Sequence, residues 1–164
     1  MTQRLERLWA GWRSDYVSAA TGPVEGGDAC VVCRVLGADS YVVRRGARCA
    51  AVLNAYPYAT GHLLVVPERH VGELEEMDAD EGAELWAMVG AAVRALKVAY
   101  GPHGINLGAN LGRAAGAGVP GHLHLHALPR WAGDTNFMTA VAEARVLPES
   151  LPTTYEKLRS AWPA

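Results

Sequence analysis

The sequence has no long apolar run. Half of its 164 residues are hydrophobic, but no segment approaches the roughly 20 consecutive apolar residues that a membrane-spanning helix needs. Near the N-terminus, Arg4, Glu6 and Arg7 interrupt the apolar residues, so the unbroken apolar stretch of a secretory signal is missing. We therefore expect a cytoplasmic protein that has no membrane partner.

Cysteine is scarce as well. The sequence contains three cysteines, and two of them, Cys30 and Cys33, form the motif CVVC. An odd count in a chain large enough to build its own core argues against a disulfide framework and favours thiols or a metal site in a reducing compartment. The pair supplies half of a zinc site, and two buried thiols are the alternative explanation. Cys49 has no visible partner and is expected to be a core residue.

There is no excess of positive charge, internal repeat or low-complexity tract. The formal net charge is −2 and the sequence pI is near 6.3, which argues against binding to long nucleic acids but not to a single nucleotide. We predict one domain over residues 1–164, with an arm and loop over 1–29, a core over 30–137 and an extension over 138–164. Within the arm, residues 5–17 form a short amphipathic segment.

Alternating and β-branched residues predict strands, and one long stretch has helical periodicity. Asp78 followed by Glu81 predicts the start of that helix, and Gly101 predicts its end. Strands are predicted at 41–43, 49–53, 62–67, 104–110 and 122–128, and a short helix at 151–162. The pattern predicts an α+β fold: a mostly antiparallel sheet of about five strands, one long helix, and short N- and C-terminal helical segments.

Three histidines, His122, His124 and His126, alternate with Leu123 and Leu125. In a strand, alternate side chains share a face, so the three imidazoles should point one way and the leucines into the core. A solvated face that carries histidines by chance is one explanation, and a metal site and nucleophilic catalysis are two others. The outer histidines would lie roughly 13 Å apart at their Cα atoms, too far for one ion to take all three.

The spacing fits better if the three histidines have different roles, with His124 as the reacting residue and its two neighbours in supporting roles. A neutral imidazole, with a solution pKa of about 6.5, is available as a nucleophile at neutral pH. Attack on phosphorus divides one difficult displacement into two easier ones. The glycine-rich turn over residues 112–121 can offer backbone N–H groups to the phosphoryl oxygens.

The run at 121–130, GHLHLHALPR, resembles the signature of the histidine-triad family, in which three histidines alternate with apolar residues. Two upstream blocks, 54–62 (NAYPYATGH) and 106–112 (NLGANLG), look like the other two landmarks of that family. The similarity extends from about residue 30 to 137. The continuation at 129–137, PRWAGDTNF, most resembles the bacterial branch associated with diadenosine tetraphosphate phosphorylases.

This resemblance implies a role for each matching residue. His124 would attack the α-phosphorus and form a nucleotidyl-histidine. His126 and His62 would hydrogen-bond the phosphate or orient the other imidazoles. Asn54 lies where the family usually has an acidic residue for the ribose hydroxyls, and Asn110 would contact the phosphate region.

Other substrate contacts are expected at Gly118, Val119 and Trp131. Several family members carry Ser or Thr three residues before the first triad histidine, where this chain has Val119. Without that hydroxyl, assistance to the leaving group must come from backbone N–H groups, a histidine or solvent. Trp131 could stack on an adenine or cover the core.

The resemblance also implies a structural zinc. Some relatives bind zinc through a cysteine pair, the histidine after the preceding strand and the first triad histidine. The ligands in this chain would be Cys30, Cys33, His70 and His122. Such a site would attach the N-terminal loop to the catalytic strand.

The expected substrate is an adenine nucleotide conjugate such as a dinucleoside polyphosphate, which a divalent cation could accompany. Inorganic phosphate as acceptor would make the protein a phosphorylase, whereas water would make it a hydrolase. The alternatives are a non-catalytic nucleotide-binding module and a zinc hydrolase that uses His122 and His124 as ligands. The resemblance implies a homodimer or a higher homo-oligomer.

Overall fold

The computed structural model describes residues 30–134 and 147–164. The arm segment at 5–17 and the end of the family-like continuation at 135–137 lie outside these residues. The described part contains three α-helices and five strands, in the order α1 (Val31–Gly37), β1 (Val42–Arg45), β2 (Cys49–Leu53), β3 (Leu63–Pro67), α2 (Ala79–Tyr100), β4 (Gly104–Ala109), β5 (Leu125–Arg130) and α3 (Leu151–Ser160).

The five strands form one antiparallel sheet in the order β1-β2-β3-β5-β4. This arrangement confirms the predicted α+β class and the predicted number of strands. Strand β5 lies between β3 and β4, and His126 is paired with Leu64 on one side and Gly108 on the other. The last triad histidine is therefore held by two neighbouring strands.

Helix α2 begins and ends where the sequence predicts. The Asp78 carboxylate accepts the Glu81 N–H at 2.8 Å, and the Glu81 carboxylate accepts the Asp78 N–H at 3.0 Å, which satisfies two N–H groups at the start of the helix. Gly101 ends the helix in the left-handed conformation, with φ of 52°. In the ranges 30–134 and 147–164, no helix is long and apolar enough to cross a membrane.

The sheet has a different apolar layer on each face. On one face, α2 and α3 cover the sheet, and the buried residues there include Leu63, Leu85 and Leu158. On the other face, α1 forms a smaller cluster around Cys30 and Val66. Cys49 is fully buried, as expected, and burial raises the pKa of its thiol to about 12.

Strand β5 begins later than predicted, at Leu125 rather than His122. The reason lies at the end of β3, where Pro67 has no N–H to donate to a neighbouring strand. The Leu123 N–H instead donates to the Val71 carbonyl at 2.7 Å, and the Pro67 carbonyl receives the His122 ring at 2.9 Å. Only the last of the three triad histidines is therefore in the sheet.

Helix α1 was not predicted, because it is only seven residues long and has no N-capping side chain. Cys30 precedes the helix and Cys33 lies within its first turn, so the two thiols are three residues apart. That spacing places them on one side of the helix.

An ion pair between the exposed Arg69 and the buried Glu81 joins the loop after β3 to the start of α2. Arg69 donates from Nε and Nη2 to the two carboxylate oxygens of Glu81, at 2.8 and 2.7 Å. The Glu81 residue is 4% exposed. The Arg69 hydrogen bond, followed by the Asp78 N–H, lowers the pKa of this carboxyl to about 2.

We expect Glu81→Gln to lower the free energy of unfolding by about 1–3 kcal/mol at neutral pH, because the variant loses a charged partner of Arg69. The folded-state pKa of about 2 lies below the ordinary 4.5. The stabilisation should therefore be present above pH 4.5 and be lost as the pH falls from 4.5 toward 2. Urea unfolding at several pH values measures both effects.

Asp80→Asn is the matched control, because its side chain is 78% exposed and pairs with Arg48 at the surface. It should change stability by no more than a few tenths of a kcal/mol. A difference between the wild type and Glu81→Gln that stayed constant from neutral pH to about pH 3 would contradict the assignment.

Candidate active site and metal centre

Two histidines that are distant in sequence share a hydrogen bond. His62 lies immediately before β3, and its Nε2 is 2.8 Å from Nδ1 of His126 on β5. The backbone N–H of Tyr58 donates to His62 Nδ1 at 3.1 Å. Because Nδ1 of His62 is an acceptor, the ring proton is on Nε2, and His62 donates to His126.

The direction of this bond determines the state of His126. Its Nδ1 accepts from His62, so the neutral ring carries its proton on Nε2. Burial, with a smaller effect from His124, lowers the pKa of His126 to about 4, and the ring is neutral at pH 7. Its Nε2 is buried and has no hydrogen-bond partner among the described residues. A buried donor of this kind needs an acceptor.

In the neighbouring His124, the ring proton is on Nδ1 and not on Nε2. Its Nδ1 donates to the carbonyl of His122 at 2.7 Å, so the lone pair of the neutral ring is on Nε2. The side chain is 7% exposed. Its ring centroid is 5.2 Å from that of His126, and the two ring planes are 73° apart. The site thus combines one imidazole with a lone pair and another with an N–H donor.

The residue before His62 must be glycine for two reasons. Gly61 has φ of 83°, a region that side chains rarely adopt. A Cβ at this position would lie 3.0 Å from the Tyr100 ring and 3.2 Å from both Leu96 and Pro129. The chain therefore enters β3 in close contact with α2, which fixes the start of the strand that carries His62.

Asn54 lies at the start of the loop, residues 54–61, that ends at Gly61. Its Oδ1 accepts the Tyr56 N–H at 2.9 Å, and its Nδ2 lies 3.2 Å from His62 Nδ1. Because Oδ1 is already an acceptor, the amide NH2 faces the imidazole and donates to it. The structure therefore places Asn54 against His62, whereas its predicted contact with ribose hydroxyls stays a prediction.

The predicted metal ligands come together in three dimensions. One ligand atom from each of Cys30, Cys33, His70 and His122 lies within 4.8 Å of all the others. Nδ1 of His122 is 3.5 Å from each sulfur atom, and Nδ1 of His70 is 3.4 Å from the sulfur of Cys33. This group could hold a metal ion.

The donor set fits a tetrahedral zinc. Zinc bonds of about 2.0–2.3 Å place ligand atoms about 3.3–3.8 Å apart, which agrees with the three distances above. Burial lowers the pKa of His122, and its Nε2 donates to the carbonyl of Pro67. Metal-binding histidines commonly make such a bond with their other nitrogen, which fixes the tautomer and the orientation of the ring.

The glycine-rich loop before the triad is closed by its own hydrogen bonds. The Asn110 amide donates to the Gly116 carbonyl at 3.4 Å, and the His122 N–H donates to the Val119 carbonyl at 3.2 Å. Within the residues that the structure describes, no hydrogen bond uses the N–H of Gly118 or Val119. These two N–H groups are available to a ligand.

Trp131 and the two arginines Arg69 and Arg130 have partners within the fold. The Trp131 ring lies edge-on to Tyr100, with centroids 6.3 Å apart. Arg69 pairs with Glu81, and Arg130 pairs with Asp134 at 2.6 Å. The two arginines are therefore tied into the fold, and the stacking of Trp131 on adenine stays a prediction.

Tyr58 is a further residue of the site, and it was not predicted from the sequence. Its ring stacks on His126, with centroids 5.8 Å apart and planes within 20°, and it lies 4.8 Å from His62. The available signal was an aromatic residue four positions before a histidine in a loop that also contains proline.

The comparisons with known proteins agree with this geometry. The family model of the HIT domain matches residues 36–133. An AP-4-A phosphorylase of Mycobacterium tuberculosis is 39% identical over 166 residues, which cover 97% of this chain and 85% of that protein.

Two solved structures are similar over most of the chain. A hypothetical histidine triad nucleotide-binding protein from Sulfolobus tokodaii is 31% identical, with a TM-score of 0.68 over 80% of this chain and 91% of that one. A zinc-bound histidine triad family protein from Mycobacterium smegmatis is 28% identical, with a TM-score of 0.68 over 83% of this chain and 94% of that one. This chain therefore belongs to the HIT-domain family.

Proposed function

We propose that this protein cleaves dinucleoside polyphosphates through a nucleotidyl group on His124, with inorganic phosphate as the acceptor. The observation that carries the proposal is the hydrogen-bond pattern of two adjacent imidazoles. His124 Nε2 has a lone pair, and His126 Nε2 has a proton without a partner. Nucleophilic attack on phosphorus needs the first group, and stabilisation of the phosphoryl oxygens needs the second.

In the first step, His124 Nε2 attacks the α-phosphorus. The N–P bond forms and the bond from phosphorus to the bridging oxygen breaks. With diadenosine tetraphosphate, this step releases ATP and leaves AMP on the imidazole. The His126 N–H donates to a phosphoryl oxygen, a contribution that matters because Val119 offers no hydroxyl. The N–H groups of Gly118 and Val119 supply further donors.

In the second step, an acceptor displaces the imidazole from phosphorus. Phosphate gives ADP, whereas water gives AMP, and either reaction restores the lone pair of His124. Support for phosphate comes from the relative in Mycobacterium tuberculosis that is named AP-4-A phosphorylase, because the match covers nearly the whole chain. Asn54, Asn110 and Trp131 are the proposed further contacts to the nucleotide.

We also propose that the metal is zinc and that its role is structural. The support is the two-cysteine, two-histidine donor set and the zinc-bound relative of Mycobacterium smegmatis. When bound, the ion would cross-link three segments: α1, the loop after β3 and the segment before β5. The carbonyl of the ligand His122 receives the Nδ1–H of His124, so the metal group and the nucleophile share one residue.

The zinc hydrolase alternative has little support in this geometry. Of the described residues, those that could hold a metal together include His122 but not His124. Only a measurement of turnover distinguishes the proposal from the non-catalytic alternative. A pure nucleotide-binding module would use the same contacts without forming the adduct.

Incubation with diadenosine tetraphosphate tests the proposed reaction. We expect ATP and ADP when inorganic phosphate is present, and a rate that rises with phosphate concentration. His124→Ala should lower kcat by about three orders of magnitude or more while nucleotide binding largely survives. His103→Ala is the matched control, because that histidine is exposed and lies outside the site.

Chromatography of the products and acid-labile labelling of His124 are the measurements. If AMP formed instead of ADP at every phosphate concentration, the acceptor would be water and the protein would be a hydrolase. Tight binding of AMP with no cleavage of any conjugate would favour the non-catalytic module.

Elemental analysis tests the metal proposal, and we expect about one zinc per chain. Cys33→Ser should lower the zinc content and the melting temperature, because a metal ligand that is lost also removes folding free energy. Cys49→Ala is the control, since this buried thiol lies outside the metal group. The Cys49→Ala protein should keep its zinc. Metal-free protein that keeps its full melting temperature would contradict the proposal.

A further inference from the structure

Tyr58 contacts both members of the histidine pair. Its backbone N–H donates to Nδ1 of His62, and its ring lies almost parallel to the ring of His126. The residue is therefore the one point in the loop at 54–61 where the main chain supports one imidazole and the side chain covers the other. The Tyr58 residue is 49% exposed, so the ring lies between His126 and solvent.

The other groups around His126 offer no comparable cover. His124 comes from the same segment, and His62 precedes β3. Across the sheet, the neighbours of His126 are Leu64 on β3 and Gly108 on β4, and neither side chain is titratable. Within residues 30–134 and 147–164, the titratable groups that face His126 are thus His62, His124 and Tyr58.

Water at this point would disturb the direction of the hydrogen bond. The bond from His62 to His126 needs a lone pair on Nδ1 of His126. If His126 gained a second proton, its Nδ1–H would face the Nε2–H of His62, and the bond would be lost. A solvated imidazole is protonated more readily than a buried one, because burial disfavours its charged form.

We propose that Tyr58 is a positioning residue whose ring shields the His62–His126 hydrogen bond from water and so keeps the Nε2–H of His126 directed at the bound substrate. The part of this statement that concerns substrate rests on the proposed function. The shielding itself is a property of the ligand-free protein.

The test is a titration of the histidine rings by NMR in ligand-free protein. In Tyr58→Ala, we expect the pKa of His126 to rise from about 4 by about one unit or more toward the ordinary value of 6.5. The nitrogen shifts of His126 should also change from a single tautomer to a mixture. Tyr58→Phe keeps the ring and should keep the low pKa.

Tyr56→Ala is the matched control, because Tyr56 lies in the same loop with its side chain 87% exposed, and it should leave the titration unchanged. Tyr58→Gln is a second variant without the ring, and it supplies the result if Tyr58→Ala does not fold. An unchanged pKa of His126 in the ring-free variants would overturn the proposal. So would an equal rise in Tyr58→Phe, because the hydroxyl group would then be responsible.

A second readout links the shielding to turnover. In the ring-free variants, kcat at neutral pH should fall, because a mixture of tautomers leaves fewer molecules with the Nε2–H of His126 directed at substrate, whereas Tyr58→Phe should keep the wild-type kcat. A changed tautomer mixture with an unchanged kcat would overturn the link to substrate. Because the NMR titration needs no substrate, it distinguishes a failure of this proposal from a failure of the proposed reaction.

Discussion

The orientation of His122 is the constraint on which the two centres of this molecule depend. Its ring offers Nδ1 to two cysteine sulfurs and donates from Nε2 to Pro67, while its carbonyl receives the Nδ1–H of His124. A single residue thus takes part in the candidate metal group through its side chain and sets the tautomer of His124 through its main chain. Displacement of this residue would affect both.

The histidines of the site illustrate how backbone groups can set the chemistry of side chains. A main-chain N–H makes His62 a donor, and a main-chain carbonyl makes His124 an acceptor at its other nitrogen. Neither arrangement needs a nearby carboxylate, which would attract a second proton to an imidazole. The direction of each hydrogen bond is therefore set by main-chain groups and not by a charged side chain.

Much of the fold could be predicted because its signals are local. The ends of α2 follow from Asp78 and Gly101, and the strands follow from short apolar runs. The late start of β5 could not be predicted, because it depends on a missing N–H at Pro67, a residue distant in sequence. Helix α1 was missed because seven residues carry too little periodicity. The candidate ligand set was predicted through resemblance, whereas the stacking of Tyr58 on His126 depends on two segments that meet only in the folded chain.

The positions of the loop at 54–61 differ in their freedom to change. At Gly61, which precedes His62, the left-handed φ and the 3.0 Å between an added Cβ and the Tyr100 ring make any larger residue strained. Upstream, Ala55 is exposed and the Tyr56 ring faces solvent. Substitutions at Ala55 or of the Tyr56 ring therefore alter the solvent-facing surface beside the imidazoles without displacing His62, which Asn54 and Tyr58 hold in place.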